Sequence, residues 1–386
     1  MTMPIYLDYM ATTPIDPKVV DAMLQYMGPT SCYGNPASST HVYGKMAAMA
    51  VAKAREDIAH VIGASAEDIV FTSGATEADN LAILGAARFY QNKGKHVITM
   101  VTEHKAVIDS FKQLEKEGFD VTWLTPEASG LLDLTQLEKA LRDDTILVSI
   151  MHVNNEIGTI QNIGAIGEIL ADRGIVFHVD AAQSAGKLAI DVNKMKVGLM
   201  SLCAHKFYGP KGIGALYVQH HPRIRLQAMS FGGGHEGGMR SGTLATHQIV
   251  GMAEALKLAE SMRESEHQRL TLMRDQIWQA IQTLPRVSIN GDLQQRIPSN
   301  LNILFAGIDN ASLTLALREL AVSTTSACSS SSQQPSYVLK AIGLDDEAAY
   351  SSIRLSIGRF TTQSDADRIC QIICQQIQKL QAMAPS

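Results

Sequence analysis

Lys206 lies where a lysine can act as a nucleophile, in the segment SLCAHKFYGPKG at 201–212. A short apolar run, predicted to be a strand, precedes it, and a turn containing Gly and Pro follows it. Lysine forms a Schiff base with an aldehyde cofactor when its amine is partly desolvated, because some of the amine is then unprotonated. A solvent-exposed lysine in a turn is the ordinary alternative. The position at the end of a strand favours the catalytic interpretation.

Asp180 and Gln183 occupy a similar position in FHVDAAQS at 177–184, where the aspartate ends an apolar strand. A carboxylate in this place can keep a pyridine nitrogen protonated, which makes the ring an electron sink. The alternative is an aspartate that caps the following helix. For this segment taken alone, the cap is the preferred interpretation.

The segment SGATEADN at 73–80 suits an anion, because a turn containing glycine follows the apolar run IVFT and opens a helix. The backbone N–H groups of Ala75 and Thr76, with the Thr76 hydroxyl, would face an anion at the positive end of that helix. Alternatively, Ser73 or Thr76 caps the helix, with Glu77 nearby. This segment alone also favours the cap.

Two further polar segments follow predicted strands. His104, after HVITM, is able to stack on a flat ring and exchange protons near neutral pH, although a lone histidine is more often structural. Asn154, Asn155 and Glu156 lie in MHVNNEIGT, where buried amides suit a ligand and a turn is the simpler explanation. Neither segment identifies a function by itself.

These segments become informative together because the chain from about residue 67 to 218 alternates strand and helix patterns. The alternation predicts βαβ units and a mostly parallel sheet. Active sites of such sheets lie at the carboxyl ends of strands. All five segments fall at predicted strand ends, so we expect them to share one pocket. GGGHEG at 232–237 formally fits a dinucleotide motif, but it opens no strand-to-helix crossover and is interpreted as a loop.

The remainder of the chain predicts a second, smaller unit. A long helix is expected from residue 243 to about 280, and NLNILF at 300–305 and SIRLSIG at 352–358 suggest a smaller α/β layer. The Ser-rich stretch 323–336, with Cys328 at its centre, has no apolar periodicity and is expected to be a flexible surface loop. A plain linker is the alternative.

Composition restricts the class of protein. The chain has 386 residues, 46% hydrophobic and 18% charged, as expected of a soluble globular protein with about two domains. The net charge of −5, without a block of Lys or Arg, argues against direct nucleic-acid binding. The sequence shows no export signal or long apolar run, so a cytoplasmic protein without membrane contact is expected. The five cysteines form no CxxC pair and are expected to be free thiols, one of them a possible nucleophile.

Taken together, the motifs resemble those of the cysteine desulfurases of the IscS/NifS type, in the class-V aminotransferase family. They span nearly the whole chain: LDYMATTP, YGNPASSTH, FTSGATEADN, EHKAV, MHVNNEIGT, HVDAAQS, AHKFYGPKG, MRSGT, SACSSSS and SSIRLSIGRF. The resemblance implies the α/β fold type I of pyridoxal-phosphate enzymes, with a mostly parallel mixed sheet between helices and a smaller α/β domain. It assigns 15–260 to the large domain and 1–14 with 261–386 to the small domain, which carries the mobile Cys328 loop. It also implies a homodimer.

The resemblance assigns roles to individual residues. Lys206 would form the Schiff base with pyridoxal 5'-phosphate, His104 would stack on the cofactor and transfer protons, and Cys328 would accept the sulfur. Asn155 and Arg354 would bind the substrate, because a planar guanidinium suits a carboxylate. The resemblance also implies that Asp180 contacts the pyridine nitrogen, Gln183 the phenolic oxygen and Asn155 the ring edge. The phosphate would be bound by Ala75, Thr76, Cys203 and His205, and by Thr243 of the other subunit.

The implied reaction converts L-cysteine to L-alanine. The freed Lys206 removes the Cα proton, the ring takes up the charge, and the Cys328 thiolate attacks the substrate sulfur to leave a persulfide. The sulfur would pass to an iron–sulfur scaffold protein and to other acceptors, for iron–sulfur cluster assembly and tRNA thiolation. The sequence ends at QAMAPS, where close relatives continue, so weaker scaffold docking is expected. Cys328 is also a candidate for a transient [2Fe–2S] ligand shared with the scaffold.

Cys203 and Ala204 depart from the family pattern, which usually has serine and then glycine before the His-Lys pair. A thiol is a poorer hydrogen-bond donor than a hydroxyl, so weaker cofactor binding is expected. The alternatives are a selenocysteine lyase, a transaminase, which would not need Cys328, and a non-catalytic sulfur-relay or scaffold protein without cofactor. The presence of Lys206, Asp180 and His104 argues against the non-catalytic alternative.

Overall fold

A computed structural model describes residues 3–324 and 334–383 of the chain. Within these ranges the strands are β1 (Ile5–Tyr6), β2 (Ile69–Thr72), β3 (His96–Met100), β4 (Asp120–Leu124), β5 (Thr145–Ser149), β6 (Val176–Asp180), β7 (Leu199–Cys203), β8 (Gly214–Val218), β9 (Val287–Ile289), β10 (Asn300–Phe305), β11 (Leu320–Ala321), β12 (Ser323–Thr324) and β13 (Ser352–Ser356). The α-helices are α1 (Pro17–Leu24), α2 (Val42–Ile62), α3 (Ala75–Tyr90), α4 (Lys105–Lys116), α5 (Leu134–Ala140), α6 (Ile163–Leu170), α7 (Thr246–Ile281), α8 (Asn310–Ala316), α9 (Tyr337–Ala341), α10 (Asp346–Tyr350) and α11 (Gln363–Met383). From β2 to β6 one helix separates each strand from the next, as the sequence predicts.

The large sheet has the strand order β2-β8-β7-β6-β5-β3-β4 among the described residues. β8 is antiparallel to both of its neighbours, and all other neighbouring strands are parallel. Because β2 and β7 both run opposite to β8, every strand except β8 ends at the same edge of the sheet. The predicted mostly parallel, mixed sheet is confirmed.

Helices cover both faces of the large sheet. Successive residues of a strand point to opposite faces, so a strand with apolar residues throughout requires a helical layer on each side. Leu147 packs against the face covered by α3 and α4, whereas the next residue, Val148, packs against the face covered by α2 and α7. Strands β5 and β6 are buried along their whole length. Such continuous burial is typical of parallel strands between two helical layers.

Helix α7 connects the large sheet to a second core. It has 36 residues and, at 1.5 Å per residue, is about 54 Å long. Its first half contributes Ile249 and Met252 to the large-sheet core, and its second half contributes Ile277 and Ile281 to the second core. The long helix predicted from residue 243 to about 280 is confirmed, with Thr246 as its first residue. Neither α7 nor another helix in the described ranges is long and apolar enough to cross a membrane.

The second core lies beneath an antiparallel sheet with the order β12-β13-β10-β9. Helix α11 covers it with Ile369 and Ile373. Strand β1 pairs with β11, and Leu7 inserts into the same core. The segment after β1 then crosses to the edge of the large sheet, where Met10 packs against Val153. The predicted boundary near residue 260 stays a prediction, since α7 runs through that point without interruption.

The GGGHEG segment contains a short 3₁₀ turn at Glu236–Gly238 and opens no crossover helix. The Glu236 carboxylate accepts hydrogen bonds from the Arg55 guanidinium and from the backbone N–H of Phe71. These bonds attach the segment to α2 and β2. Its interpretation as a loop, rather than a dinucleotide site, agrees with this arrangement.

Candidate active site

A cavity of about 650 Å³ lies at the edge of the large sheet where the parallel strands end. That volume is within the usual range for small-molecule sites. The lining includes these residues singled out from the sequence: Ala75, Thr76, His104, Asn155, Asp180, Gln183, Cys203, His205, Lys206 and Arg354. The five predicted strand-end segments therefore meet in one pocket.

Two predicted site residues are not part of this lining. Thr243 is exposed in the segment that precedes α7, and in the described chain it does not face the cavity. The prediction for Cys328 falls in 325–333, which lies outside the described residues.

Lys206 lies in a 3₁₀ turn directly after β7. Its Nζ atom donates hydrogen bonds to the carbonyl oxygens of Met10, at 2.6 Å, and Ala11, at 2.7 Å. Burial is the main cause that lowers the pKa of this amine below its ordinary value. A lowered pKa makes the unprotonated, nucleophilic amine more accessible near neutral pH.

Asp180 is the last residue of β6 and is buried at the floor of the cavity. Its Oδ1 atom accepts a hydrogen bond of 2.8 Å from the backbone N–H of Ala182. Burial raises the pKa of this carboxyl, whereas His104 and Lys206 act in the opposite direction. A cationic ring nitrogen beside Asp180 would favour its ionised form further.

Behind Asp180 lies a buried polar group that sequence inspection missed. The His178 ring contacts the Ser149 hydroxyl at 2.8 Å through Nδ1 and the Ser201 hydroxyl at 2.9 Å through Nε2. Burial lowers the pKa of His178 to about 3, so the ring is neutral at physiological pH. Asp79 lies 3.6 Å from that ring, and burial together with Asp180 raises its pKa well above normal. These effects favour the neutral form of Asp79, whereas His104 and Lys206 make Asp180 the better site for a negative charge.

The sequence does contain a signal for this group. His178 interrupts the apolar strand FHVD, and Asp79 interrupts the apolar face of α3. A polar residue at a fully buried position requires an explanation, because its desolvation costs free energy. The pairing between the two residues only becomes visible in the folded chain.

His104 caps α4, and its side chain is oriented by that cap. Its Nδ1 atom accepts a hydrogen bond of 3.2 Å from the backbone N–H of Ala106. An accepting Nδ1 assigns the proton of the neutral ring to Nε2. Burial lowers the pKa of His104, which keeps the ring neutral near pH 7. The ring is therefore both capped into position and able to exchange a proton.

The start of α3 lines another side of the cavity. The helix begins after Gly74, and no side-chain hydroxyl caps it. The expectation that Ser73 or Thr76 provides the cap is therefore wrong. Instead, Glu77 accepts a hydrogen bond from the backbone N–H of Ser73 and pairs with Arg240 at 2.8 Å. The absence of a hydroxyl cap suits binding of an anion at this helix end.

Cys203 and His205 flank the same side of the cavity. Burial raises the pKa of Cys203 to about 12, so the side chain is a neutral thiol. Burial lowers the pKa of His205 to about 4, and its Nδ1 lies 3.1 Å from the Thr12 hydroxyl. Thr12 was not identified from the sequence as a site residue. Both groups therefore offer neutral hydrogen bonding rather than charge.

The two asparagines of MHVNNEIGT have different surroundings. The Asn154 amide oxygen accepts hydrogen bonds from the backbone N–H groups of Glu156 and Ile157, so Asn154 forms the turn. Asn155 lines the cavity, and its buried Oδ1 atom has no hydrogen-bond partner within the described structure. The turn interpretation is correct for Asn154, whereas Asn155 is available to a ligand.

Arg354, on β13, closes the opposite side of the cavity. Its guanidinium donates to the Asn155 carbonyl at 2.7 Å and to Asp8 Oδ1 at 2.6 Å. The Nε atom of Arg354 is buried and lacks a partner among the described groups. An unpaired buried N–H on a fixed guanidinium suits an anionic ligand, since leaving it unpaired costs free energy.

Comparison with known proteins extends along most of the chain. A family model described as Aminotransferase class-V matches residues 5–369. Cysteine desulfurase IscS of Vibrio cholerae serotype O1 is 59% identical over 385 residues, which cover 100% of this chain and 95% of that protein. Cysteine desulfurase IscS of Pectobacterium atrosepticum is 57% identical with the same coverage.

Solved structures give a consistent result. A NifS-like protein matches with a TM-score of 0.91 and 33% identity, covering 98% of this chain and 100% of that one. The structure of SspA in complex with cysteine matches with a TM-score of 0.82 and 38% identity, covering 93% and 100%.

Proposed function

Because this chain belongs to the class-V aminotransferase family, and within it to the pyridoxal-phosphate-dependent cysteine desulfurases of the IscS/NifS type, we propose that its sheet-edge cavity is where L-cysteine becomes L-alanine. The enzyme mobilises sulfur from cysteine. The observation that supports this location is that one cavity is lined by three groups that the reaction requires. These groups are the Lys206 amine, the Asp180 carboxylate and the Arg354 guanidinium.

The residues of the cavity fit pyridoxal 5'-phosphate. Asp180 offers a carboxylate for the pyridine nitrogen, the start of α3 offers N–H groups of Ala75 and Thr76 for the phosphate, and Asn155 offers an unpaired amide oxygen. When bound, the cofactor supplies an electron sink for the carbon from which a proton is removed. Cys203 and His205 would complete the phosphate side, and Gln183 would bind the phenolic oxygen.

Lys206 is proposed to hold the cofactor and then to remove the Cα proton of cysteine. Its lowered pKa supports this role, since a base must be unprotonated to accept the proton. The carbonyl oxygens of Met10 and Ala11 accept hydrogen bonds from this amine and orient it. His104, neutral and oriented by its own cap, is proposed to stack on the ring and transfer protons.

Arg354 is proposed to bind the carboxylate of cysteine, with Asn155 beside it. The guanidinium is buried and already fixed by Asp8 and the Asn155 carbonyl, so little side-chain freedom is lost on binding. Two of its five N–H groups are used in these bonds, so three remain, among them the buried Nε–H that has no partner among the described groups. This arrangement presents a preformed cation to the substrate.

Cys328 is proposed to take the sulfur. Its thiolate attacks the sulfur of the substrate, an S–S bond forms, and the Cβ–S bond breaks with its electron pair left on carbon, which is then protonated to give alanine. Support comes from the segment that precedes Cys328. In that segment Ser323, on β12, is the antiparallel register partner of Arg354, on β13. Cys328 follows Thr324 by four residues, which span at most roughly 14 Å when extended.

A homodimer is part of the proposal, with Thr243 reaching the phosphate of the partner's site. Support comes from the exposed apolar side chains on and between α1 and α2, where the rings of Tyr33 and Tyr43 lie 5.5 Å apart. Monomeric proteins rarely leave a large apolar surface open. The exposed residues are Val20, Leu24, Met27, Tyr33, Val42, Tyr43, Met46 and Met49.

Iron–sulfur cluster assembly is the expected destination of the sulfur. We propose in addition that the acceptors include an iron–sulfur scaffold protein, with Cys328 a transient cluster ligand, and a relay for tRNA thiolation. A cytoplasmic location is proposed as well. It is supported by the thiols of Cys32, Cys203, Cys370 and Cys374, which are unpaired in the described chain, as expected in a reducing compartment.

The experiment that tests the proposal records the visible absorbance of purified protein before and after addition of L-cysteine, while alanine and reductant-released sulfide are assayed. A spectral change with both products is expected. In Cys328→Ser the spectral change should remain while sulfide release is lost. Cys370→Ser, which alters a thiol packed on the second core, is the matched control and should behave like the parent. Sulfide release by Cys328→Ser at the parent rate would contradict the role of Cys328.

A further inference from the structure

Lys187 is a partly buried lysine, and no carboxylate pairs with it among the described residues. Glu266, an acid that influences its pKa, is bound to Arg359. Burial is the main cause that lowers the pKa of Lys187 to about 7, and the charge of Lys206 adds to this effect. Lysine is usually found exposed or paired, because desolvating its amine costs free energy. The position therefore points to a role for the side chain.

The polar contact of the Lys187 amine is with Gln183. Its Nζ atom lies 3.1 Å from Gln183 Oε1. The other end of the same amide, Nε2, donates a hydrogen bond of 2.8 Å to the carbonyl oxygen of Met10. A lysine amine keeps N–H donors in both protonation states, and a backbone carbonyl oxygen is an acceptor only. Both partners therefore favour the same orientation of an amide whose two ends are otherwise nearly equal in size.

This orientation leaves one N–H of Gln183 available. The amide nitrogen carries two hydrogens, and Met10 accepts one of them. Gln183 is buried and lines the main cavity, whereas Lys187 lines a separate, narrow cavity beside Tyr9, Thr13 and Tyr208. Lys187 thus contacts Gln183 from the side opposite the main cavity.

We propose that Lys187 is a positioning residue, which fixes the Gln183 amide so that its free N–H faces the phenolic oxygen of the bound cofactor. The inference rests on the proposed contact between Gln183 and that oxygen. If Lys187 were absent, the amide would lose one of the two partners that define its orientation. The reversed amide would place its carbonyl oxygen against an oxygen that carries negative charge, which is repulsive.

The test is the pH titration of the visible absorbance of the holoenzyme, in which the cofactor is bound to Lys206. A donor to the phenolic oxygen stabilises the deprotonated form, because that oxygen then carries more negative charge. The titration midpoint of Lys187→Met should therefore rise, by about one pH unit for one lost hydrogen bond. Lys187→Gln, which still offers an N–H to Gln183, should stay within about 0.3 pH unit of the parent.

Two controls separate positioning from other effects. Lys194→Met removes an exposed lysine paired with Asp191 and should leave the midpoint unchanged. In a Gln183→Leu background, Lys187→Met should add almost nothing, because a residue that acts through Gln183 has no effect once Gln183 is gone. The titratable groups that influence Lys187 are Lys206, Glu266, Arg354 and the neutral thiol of Cys203, and all four are retained in every variant.

Each outcome decides a separate point. A shift in Lys187→Met that disappears in the Gln183→Leu background supports the inference. A shift that persists there overturns it, because Lys187 would then act on the cofactor through its charge. A shift in Gln183→Leu without one in Lys187→Met overturns the inference and leaves the Gln183 contact standing. No shift in either variant removes the Gln183 contact and the inference with it.

Discussion

The two walls of the cavity are built in opposite ways. The wall on the large sheet comes from residues that follow strands directly, among them His104 after β3, Asp180 in β6 and Lys206 after β7. The facing wall joins Asp8, near the N-terminus, to Arg354, which is 346 residues away along the chain. We call these the strand-end wall and the N-terminal wall.

The difference has a chemical consequence. On the strand-end wall, reactive groups are desolvated and their pKa values are shifted from the ordinary ones, as for Lys206 and Asp180. On the N-terminal wall, the groups already hold one another: Asp8 pairs with Arg354, and the Met10 carbonyl accepts from Gln183 and Lys206. The first wall should therefore control the rate of the chemical step, and the second should control substrate binding. The variants below test that division.

The largest effect is expected for Lys206→Ala, on the strand-end wall. Loss of the amine removes both the cofactor attachment and the base, so alanine formation should fall by about 1,000-fold or more. Alanine is measured by chromatography, and circular dichroism checks the fold. Lys196→Ala, which removes a lysine paired with Glu168, is the control and should retain activity. Residual activity above about a tenth of the parent would remove Lys206 from the mechanism.

Asp180→Asn should give the next largest effect, with kcat lowered about 100-fold, because the charge beside the ring nitrogen is lost while the shape is kept. The matched variant is Asp79→Asn, which changes a second buried carboxyl beside His178. Burial and Asp180 raise the pKa of Asp79, which favours its neutral form. Asp79→Asn should therefore change kcat by less than about threefold. Equal losses in the two variants would show that the negative charge is not concentrated on Asp180.

Asp8→Ala examines the N-terminal wall. Without this carboxylate, the Arg354 guanidinium loses one of its two fixed partners, so the KM for cysteine should rise about tenfold while kcat changes by less than about threefold. Steady-state kinetics gives both values. Glu319→Ala, which breaks the exposed pair with Arg368, is the control and should alter neither. A fall in kcat with an unchanged KM would end the proposed division between the two walls.

Cys203→Ser should give the smallest effect, and it should improve a property of the protein where the variants above impair one. A hydroxyl is a better donor than the neutral thiol present here, so cofactor affinity should rise by about two- to fivefold. Equilibrium titration of the apoprotein, followed by absorbance, measures the dissociation constant. Cys374→Ser is the control, because that thiol contacts the Ala280 carbonyl on the second core. Weaker binding by Cys203→Ser would show that the thiol is favoured at this position.

Much of the strand-end wall follows from the sequence because its residues lie within a few positions of strands that the hydrophobic pattern reveals. Parallel strands place their carboxyl ends at one edge, so residues from 75 to 206 were expected in one pocket, and they are found there. The interpretation that failed was local: a hydroxyl cap on α3, where Glu77 binds the Ser73 backbone instead. Sequence spacing cannot decide which of several nearby polar groups takes a given N–H.

The sequence by itself determined the class of fold, the family and the residue types available for chemistry, because strand periodicity and motif spacing are properties of the chain. Only the tertiary structure decided which groups satisfy one another: Asp8 with Arg354, Lys187 with Gln183, and Asp79 beside His178. Asp8 with Arg354 and Asp79 with His178 join elements that are far apart in the chain, and the contact of Lys187 with Gln183 depends on the direction of both side chains. None of these pairs produces a periodic pattern in the sequence. The free energy that selects them is the cost of burying a polar group without a partner, which arises only once the chain has closed around it.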